Sequence, residues 1–476
     1  MRNSKRNLHI LSAVTFALSL VTITSGLKLA VSNPSKQNTS IETIVGSSEY
    51  SVGNSFGTIY SIDGKQISEI VEMNGNEKCV AVNGYSEIVG SESGLLINEL
   101  RPLLLANNKE INRRYRTGDN VITTLHNNGM RVAHSMLAEY DSSVEASICV
   151  ISRDGAVLVS AGNNSYDGLS FFEEQPPKDL FVDYNVSDNR KGSSFKPLVY
   201  RMLLGHISEL PDNMIFTSGN FTDTAAVLVN GQPIHNWDYC YNNYYESYDD
   251  NGNLVRTCTL ANLLEFSSNT APVRLTRELG FEKAYTYMTQ LYALDRNIQT
   301  DINELSSVSS SKERLPWFFF GQDAAVSPLR MCSSLSFAVS GEFAIPFYVA
   351  ALQKPDGNIY YMANPSAKED YSIEINVKDD ILNNALEDTF ESYLSDKVRS
   401  EYSQDLLESR RILCKSGTAE NSNGTENRVL MMILLNKDRT NVIGTACICV
   451  NNTSYSIGND VFIIKLLNVF ESIGML

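Results

Sequence analysis

Ser193 and Lys196 have the residue types and the spacing of an activated nucleophile. They stand at the start of an apolar helical pattern that continues through Val199 and Leu203. A serine and a lysine three residues apart at a helix start lie on one face, so the amine can reach the hydroxyl. The helix N-terminus also favours negative charge on the serine oxygen. Because a neutral, partly desolvated lysine can take a serine proton, the pair predicts a nucleophile, Ser193, and a general base, Lys196.

The spacing is weak support for catalysis when it stands alone. It also occurs at Ser309 and Lys312, in a serine-rich stretch that we interpret as a solvated loop. Further polar clusters that could surround Ser193 are therefore needed to define a site.

A second cluster contains Ser267 and Asn269, between two helix-like stretches at Leu260–Glu265 and 271–279. The Ser267 hydroxyl could relay a proton to a leaving amine, and the Asn269 amide could bind a substrate backbone group while it contacts Lys196. Considered alone, the cluster is better interpreted as a polar helix cap or turn.

A third cluster lies in the strand-like segment 413–420. Lys415 could supply positive charge, and the hydroxyls of Ser416 and Thr418 could hold a carboxylate. Gly417 stands where a substrate would need close approach to the strand. Alone, this segment is more simply an edge strand that leads into a turn.

Together the three clusters resemble the active-site set of penicillin-binding proteins and class A β-lactamases, which is Ser-x-x-Lys, Ser-x-Asn and Lys-Thr-Gly. They occur in the family's order at Ser193, Ser267 and Lys415. Other segments resemble parts of the penicillin-binding transpeptidase domain or the short N-terminal region of small class B members: 84–86, 93–95, 117–124, 146–161, 166–167, 234–238, 321–322, 326–329 and 341–346. By this resemblance, the chain is identified as a small class B penicillin-binding protein.

The resemblance implies an α/β (α+β) fold, the penicillin-binding transpeptidase or serine β-lactamase-like fold. Its sheet would be mixed, mainly antiparallel and flanked by helices. The residue pattern agrees, because strand-like segments near both ends of the catalytic region, with helices between them, imply that the first and last segments meet in one sheet. We expect a linker and small β-rich module at residues 32–110 and the transpeptidase domain at 111–476.

The first 31 residues are expected to be a cytoplasmic tip and a transmembrane signal-anchor. Residues 8–27 contain no Asp, Glu, Lys or Arg and follow the basic residues Arg2, Lys5 and Arg6. About 20 apolar residues span a bilayer, whereas a cleavable signal has a shorter apolar stretch of about 7–15. Basic residues before the segment place the N-terminus inside. The expected location is the cell membrane, with a single pass and an extracytoplasmic catalytic domain.

The resemblance also implies the reaction, peptidoglycan D,D-transpeptidation by a serine-type acyl transferase. Ser193 would attack the D-Ala-D-Ala carbonyl of a stem peptide, with Lys196 as general base. Ser267 and Lys415 would carry the proton to the leaving D-alanine, and an amine of a neighbouring stem would resolve the ester. β-Lactam antibiotics would acylate the same serine.

Substrate binding is expected from the remaining motif residues. Asn269 would position the peptide, and Thr418 would bind the terminal carboxylate, on the strand that also carries Ser416 and Gly417. The backbone N–H groups of Ser193 and Thr418 would hold the oxyanion. Peptidoglycan stem peptides and β-lactams are the expected ligands, with a glycan polymerase or a divisome protein as a further partner.

The motifs depart from the family pattern in two places, and the second departure keeps alternatives open. Ser416 replaces the commoner threonine of Lys-Thr-Gly, which keeps the hydroxyl. The aromatic pair commonly found on the next strand is absent, and residues 429–432 are Val-Leu-Met-Met instead. The alternatives are a catalytically weak or inactive divisome scaffold that keeps the penicillin-binding pocket, and a D,D-carboxypeptidase or β-lactamase-type hydrolase.

Composition excludes other classes of function. The net charge of −16 argues against a nucleic-acid partner, because there is no basic surplus to neutralise phosphates. With five dispersed histidines and eight scattered cysteines, the sequence shows no metal-binding cluster and no disulfide framework. We therefore expect no metal and no cofactor.

Overall fold

The computed structural model describes residues 56–73, 76–90, 95–104, 118–165, 182–240, 244–250, 252–364 and 373–476. All of these residues lie within the unit Tyr50–Leu476. The predicted anchor at 8–27 and the family-like residues 93–94 and 166–167 lie outside the described residues. Within the described ranges, no helix is long and apolar enough to cross a membrane.

The strands and helices of the described residues are numbered in chain order. The strands are β1 (Ile59–Tyr60), β2 (Ser68–Met73), β3 (Asn76–Ala81), β4 (Asn120–Thr123), β5 (Glu145–Ser152), β6 (Val157–Gly162), β7 (Asn189–Arg190), β8 (Phe221–Thr224), β9 (Ala226–Val229), β10 (Gln232–His235), β11 (Ser247–Tyr248), β12 (Leu254–Cys258), β13 (Ile298–Gln299), β14 (Glu304–Leu305), β15 (Ala325–Val326), β16 (Val349–Gln353), β17 (Ile359–Met362), β18 (Arg411–Glu420), β19 (Glu426–Leu435) and β20 (Val442–Thr453). The helices are α1 (Ser86–Val89), α2 (Leu95–Glu99), α3 (Arg101–Leu104), α4 (Asn127–Leu137), α5 (Lys196–Gly205), α6 (Leu260–Glu265), α7 (Thr270–Leu279), α8 (Phe281–Leu291), α9 (Leu315–Phe318), α10 (Pro328–Ser340), α11 (Ile381–Tyr393), α12 (Asp396–Glu401), α13 (Gln404–Glu408) and α14 (Asn459–Ser472).

A five-stranded sheet forms the core, in the order β18-β19-β20-β5-β6 with every neighbouring pair antiparallel. β19 and β20 are nearly continuous runs of buried residues, which is typical of central strands covered on both faces. β5 pairs with β20, so the expectation that the first and last segments of the catalytic region meet in one sheet is confirmed. β18, which carries the third motif, lies at the edge of the sheet. The side of β18 that faces away from β19 is therefore not paired with another strand of this sheet.

Helices cover both faces of the core sheet. On one face, α10 packs against β5 and β20, where Cys332 lies 3.7 Å from Cys149 between their Sγ atoms. Cys447 stands opposite Cys149 in the sheet, and Gly444, three residues earlier on β20, points to the other face. There a Cβ at Gly444 would meet Met475, just beyond α14, and α4 packs beside α14. The sheet is therefore the middle layer of the catalytic region.

The cysteines behave as small hydrophobic residues. All eight are free, and all except Cys240 are buried. Cys447 and Cys449 share one face, with their Sγ atoms 3.5 Å apart, as their spacing of two predicts.

A second sheet has the order β1-β4-β16-β17 and contains a parallel pair, β1 with β4. β1 precedes residue 110 and β4 follows it, so both sides of the predicted module boundary contribute to this sheet. The boundary itself stays a prediction. Elsewhere β8, β11 and β12 form a small antiparallel sheet, and the β9–β10 hairpin ends at His235, next to the second motif.

Most predicted elements are present with shifted ends. α6 has the predicted bounds, Leu260–Glu265. The apolar pattern of residues 130–140 predicts a further helix, which is present as α4 and begins three residues earlier at Asn127. Its first turn is polar and partly exposed, so the apolar pattern of the sequence does not mark where the helix begins.

Glycines let the nucleophile segment and the third-motif strand approach each other closely. A Cβ at Gly417 would clash with the backbone oxygen of Lys191 and the backbone nitrogen of Ser194. A Cβ at Gly192, where φ is 53°, would meet the main chain of Thr418. The backbones are therefore packed against each other at this point, and the third motif is fixed beside the first.

We expect Gly417→Ala to lower the free energy of unfolding by about 1–3 kcal/mol, because two backbone segments would have to separate. The measurement is denaturant unfolding of the purified protein. Gly205→Ala is the matched control, since nothing lies within 4 Å of a Cβ at that position in α5. The control should be neutral or slightly stabilising. Equal effects at the two glycines would contradict the close approach.

Candidate active site

Ser193 lies in a 3₁₀ turn, Gly192–Phe195, that leads directly into α5. Pro197 at the start of α5 suits the first turn of a helix, where its missing N–H is not needed. Lys196 Nζ lies 2.8 Å from Ser193 Oγ. Ser193 is partly exposed, whereas Lys196 is fully buried. A partly exposed hydroxyl is thus in contact with an amine that water does not reach.

The Lys196 amine is surrounded by oxygen atoms of the second motif. Its Nζ lies 2.6 Å from the Ser267 backbone oxygen, 2.7 Å from Asn269 Oδ1 and 3.2 Å from Ser267 Oγ. Burial, and then the nearby positive charge of Lys415, hold the pKa of Lys196 well below its usual range, against the opposing effect of Asp223. A neutral Lys196 can accept the Ser193 proton.

The loop between α6 and α7 holds the second motif in place. Ser267 has φ of 53°, in the left-handed region that few residues other than glycine adopt. Asn236 Oδ1 accepts hydrogen bonds from the backbone N–H groups of Asn269 (2.7 Å) and Thr270 (3.1 Å). The Asn269 amide donates to the His235 backbone oxygen at 2.9 Å. The β9–β10 hairpin therefore orients the residues that surround Lys196.

A buried ionic cluster of Arg256, Asp223 and Asp238 contacts this loop. Arg256 pairs with Asp223 at 3.0 Å and with Asp238 at 2.6 Å. Asp223 also accepts hydrogen bonds from Asn236 Nδ2 (3.0 Å) and Ser268 Oγ (2.8 Å). Because a buried charge without its partner is costly, the cluster gives the loop one preferred arrangement.

Lys415 on β18 meets the second motif from the opposite side. It is 1% exposed, and its Nζ donates to Ser267 Oγ (3.2 Å), Tyr393 OH (3.3 Å) and the Ser416 backbone oxygen (3.1 Å). Ser267 Oγ is thus within 3.2 Å of the amines of both Lys196 and Lys415. A hydroxyl between two amines can pass a proton in either direction.

Thr418 lies further along β18, with basic and amide groups around it. Arg428 Nη1 on β19 donates to Thr418 Oγ1 at 3.0 Å, and Arg428 also pairs with Glu426 at 2.6 Å. Gln322 Nε2 donates to the Thr418 backbone oxygen at 3.4 Å. This end of β18 thus combines a hydroxyl donor and a guanidinium, which are groups that bind carboxylates.

The described residues contain no group of three or more His, Cys, Asp or Glu side chains that could hold a metal ion. On β18 and β19, Lys415 is buried beside the second motif, and Arg428 contacts Thr418 while it pairs with Glu426. The two cationic side chains favour a ligand with negative charge next to the strand.

The structure brings all the predicted site residues together in one connected group of contacts. They are Ser193, Lys196, Ser267, Asn269, Lys415, Ser416, Gly417 and Thr418. The catalytic and binding roles assigned to them stay predictions. Sequence reasoning missed Asp223, Arg256, Tyr393 and Arg428, which lie in no recognisable motif. Asn236 stood in a family-like segment without an assigned role.

The second serine–lysine pair is not part of this site. Ser309 is exposed in a loop, and Lys312 pairs with Glu282 at 2.9 Å on the surface. The three-residue spacing of a serine and a lysine is therefore not enough to identify the nucleophile, as expected from the sequence.

Fold and site together define a serine acyl transferase. A family model described as the penicillin binding protein transpeptidase domain matches residues 147–434. Because this match covers more than half of the chain, the chain belongs to the penicillin-binding protein transpeptidase domain family. The family that the three motifs indicate is confirmed, and the finding is consistent with a class B member.

Two curated relatives are similar over part of their length. Penicillin-binding protein 1A of Vibrio cholerae is 25% identical over 263 residues, which are 55% of this chain and 26% of that protein. Penicillin-binding protein 1A of Pseudomonas aeruginosa is 24% identical over 218 residues, 45% of this chain and 21% of that protein. The similarity thus spans about a quarter of the length of these relatives.

Solved structures share the fold over most of the chain. The D,D-transpeptidase domain of a peptidoglycan glycosyltransferase from Eggerthella lenta gives a TM-score of 0.69 at 18% identity, covering 89% of this chain and 100% of that one. Penicillin-binding protein A of Mycobacterium tuberculosis, as a ceftriaxone acyl-enzyme, gives 0.67 at 14% identity, with 88% and 98% covered. Penicillin-binding protein 3 from the same organism, with aztreonam, gives 0.63 at 15% identity, with 88% and 96% covered. At these identities the likeness establishes the fold.

The rate at which a fluorescent penicillin acylates Ser193 should fall as the pH falls through the lowered pKa of Lys196. Only the neutral amine can take the serine proton. Lys415→Met removes a positive charge that lowers this pKa, so the acidic limb of the pH–rate profile should move to higher pH. Lys312→Met, at an exposed lysine, is the control and should leave the limb in place. An unmoved limb in Lys415→Met would contradict the electrostatic coupling of the two lysines.

Asn236→Ala should reduce the acylation rate at least tenfold, because it leaves the N–H groups of Asn269 and Thr270 without their acceptor. The loss of stability should be about 1–3 kcal/mol. Asn436→Ala is matched chemically, since Asn436 Oδ1 accepts from two backbone N–H groups in an exposed turn, at 2.8 and 3.0 Å. That variant should keep the wild-type rate. A normal rate in Asn236→Ala would remove Asn236 from the positioning of the loop.

Proposed function

We propose that this chain is a peptidoglycan D,D-transpeptidase that cross-links stem peptides through an ester on Ser193 and is acylated there by β-lactams. The observation that carries the proposal is the 2.8 Å contact of Ser193 Oγ with a buried Lys196 amine of lowered pKa. In this arrangement Lys196 can activate the Ser193 hydroxyl, and no metal or cofactor takes part in the proposed steps.

Acylation begins when Lys196 accepts the Ser193 proton and the serine oxygen attacks the D-Ala-D-Ala carbonyl. Backbone N–H groups of Ser193 and Thr418 hold the oxyanion, an interaction whose loss typically costs about 3–4 kcal/mol. The proton then reaches the leaving D-alanine through Ser267, which lies between Lys196 and Lys415. Release of D-alanine leaves the peptide esterified to Ser193.

Transfer uses the same groups in reverse. The amine of a second stem peptide attacks the ester, and Lys196 or Ser267 accepts its proton as the new amide forms. Ser193 regains a proton when it leaves. Water in place of the amine would give carboxypeptidase chemistry, so the outcome depends on which acceptor occupies the cleft.

Substrate orientation is proposed to come from Asn269 and the β18 strand. Asn269 has one amide hydrogen on the His235 oxygen and its carbonyl on Lys196, so its second amide hydrogen is the group for a peptide carbonyl. Thr418, with Arg428 behind it, offers a hydroxyl for the terminal carboxylate. The peptide would then lie along β18 in an extended conformation.

The similar proteins support β-lactam binding and the substrate class. Penicillin-binding protein A of Mycobacterium tuberculosis is described as an acyl-enzyme with ceftriaxone, and the Eggerthella lenta domain as a D,D-transpeptidase. We extend both properties to this chain because its serine, lysines and asparagine are assembled in one site.

The proposal includes a cellular location for the protein. The uncharged segment 8–27, preceded by basic residues, would anchor it in the cytoplasmic membrane with the catalytic domain outside. A glycan polymerase or divisome protein would supply the strands to be cross-linked.

The alternative of an inactive scaffold depends on the missing aromatic pair. Residues Val429, Leu430, Met431 and Met432 are all buried in β19. This departure from the family therefore lies among buried residues of β19, and the groups around Ser193 remain in contact. A cell-wall digest from a strain that lacks the protein separates cross-linking, trimming and a scaffold role.

A fluorescent penicillin should label the wild-type protein covalently and should not label Ser193→Ala. Ser309→Ala is the control, because Ser309 has the same spacing to a lysine but lies outside the site. It should label like the wild type. Retained labelling in Ser193→Ala would assign the nucleophile to another residue.

A further inference from the structure

Tyr393 extends the site beyond the three motifs. It is the last residue of α11, the helix that packs along β18. Its hydroxyl oxygen lies 3.3 Å from Lys415 Nζ and 2.9 Å from Ser416 Oγ. Tyr393 and Ser416 are both partly exposed, whereas Lys415 is buried. The phenol therefore connects a buried positive charge to a hydroxyl at the surface of the cleft.

The donors and acceptors in this contact allow a chain of hydrogen bonds that runs in one direction from Lys415 to Ser416. A lysine ammonium has three donors and no acceptor, and Lys415 has three oxygen partners: Ser267 Oγ, Tyr393 OH and the Ser416 backbone oxygen. Tyr393 accepts from Lys415, and either hydroxyl can donate in the contact between Tyr393 and Ser416. When Tyr393 donates, the Ser416 hydrogen is left for an acceptor next to β18.

A chain of hydrogen bonds from Lys415 through Tyr393 makes the Ser416 hydroxyl a stronger donor. Hydrogen bonds that run in one direction polarise one another, and the chain starts from a positive charge. Ser416 and Thr418 are two residues apart on β18, so they point to the same face, where Arg428 also contacts Thr418. An acceptor that meets both hydroxyls on this face is best matched by a carboxylate.

We propose that Tyr393 is a positioning residue that transmits the charge of Lys415 to the Ser416 hydroxyl, so that Ser416 binds the carboxylate of the acyl donor. The inference rests on the proposed function, because it concerns the recognition step before acylation of Ser193. It gives Ser416 a specific partner, and it adds to the site a residue that no motif contains.

The test compares a fluorescent penicillin with its methyl ester, which lacks the negative charge. For each variant, the ratio of the two acylation rate constants measures recognition of the carboxylate, and it does not depend on how much of the protein is folded. Tyr393→Phe keeps the ring and removes the hydroxyl. We expect it to lower the preference for the acid about tenfold, as the loss of one hydrogen bond to a charged group would.

Two further variants test the chain itself. Ser416→Ala should lower the preference by a similar factor, and the double variant should lose no more than either single one, because both substitutions break the same chain. Tyr402→Phe is the matched control, since that tyrosine hydroxyl donates to the Ile464 backbone oxygen at 3.3 Å outside the site. It should leave the preference unchanged.

The result that would overturn the inference is an unchanged preference in Tyr393→Phe, whether both rates stay normal or both fall by the same factor. A merely structural role of the phenol would slow acid and ester alike. Losses that add in the double variant would also overturn it, since the two residues would then act separately. If neither compound labels the wild-type protein, the proposed function fails and this inference fails with it.

Discussion

A buried amine in contact with a serine hydroxyl is the constraint on which the rest of this site depends. An ammonium without solvent is costly, so burial favours the neutral form of Lys196, and the neighbouring charge of Lys415 favours it further. Lys415 is buried as well, and like Lys196 it has oxygen partners around its amine. In the proposed mechanism the two lysines have different roles, with Lys196 as the base and Lys415 as a source of positive charge.

The surrounding fold maintains this arrangement through a close backbone contact and through a loop held by buried polar groups. Gly192 and Gly417 let the nucleophile turn lie directly against β18, so the distance between Ser193 and the strand is set by backbone contact. The loop of the second motif is held by Asn236 and, beneath it, by the buried pairs of Arg256 with Asp223. Polar groups that are fully paired in this way give one preferred geometry, which catalysis requires.

Sequence reasoning predicted the elements that carry strong local signals. The helix α6 and the apolar strands β19 and β20 follow from their residue patterns, and the three motifs follow from residue types in the family's order. It did not predict the start of α4, whose first turn is polar. It also missed Asp223 and Arg256, because the pairing of residues 33 apart in the sequence is not visible in local spacing.

The sequence by itself determined which residue types are available for chemistry: a serine with a lysine three residues later, and two polar clusters far from both. Only the tertiary structure decided that these clusters meet and that the amine of Lys196 is buried from solvent. It also decided that the Tyr393 hydroxyl contacts both Lys415 and Ser416. The physical reason is that reactivity here depends on desolvation and on distances of about 3 Å between segments 71 to 148 residues apart. The sequence shows which segments carry the polar residues, whereas tertiary packing sets the distances between those segments.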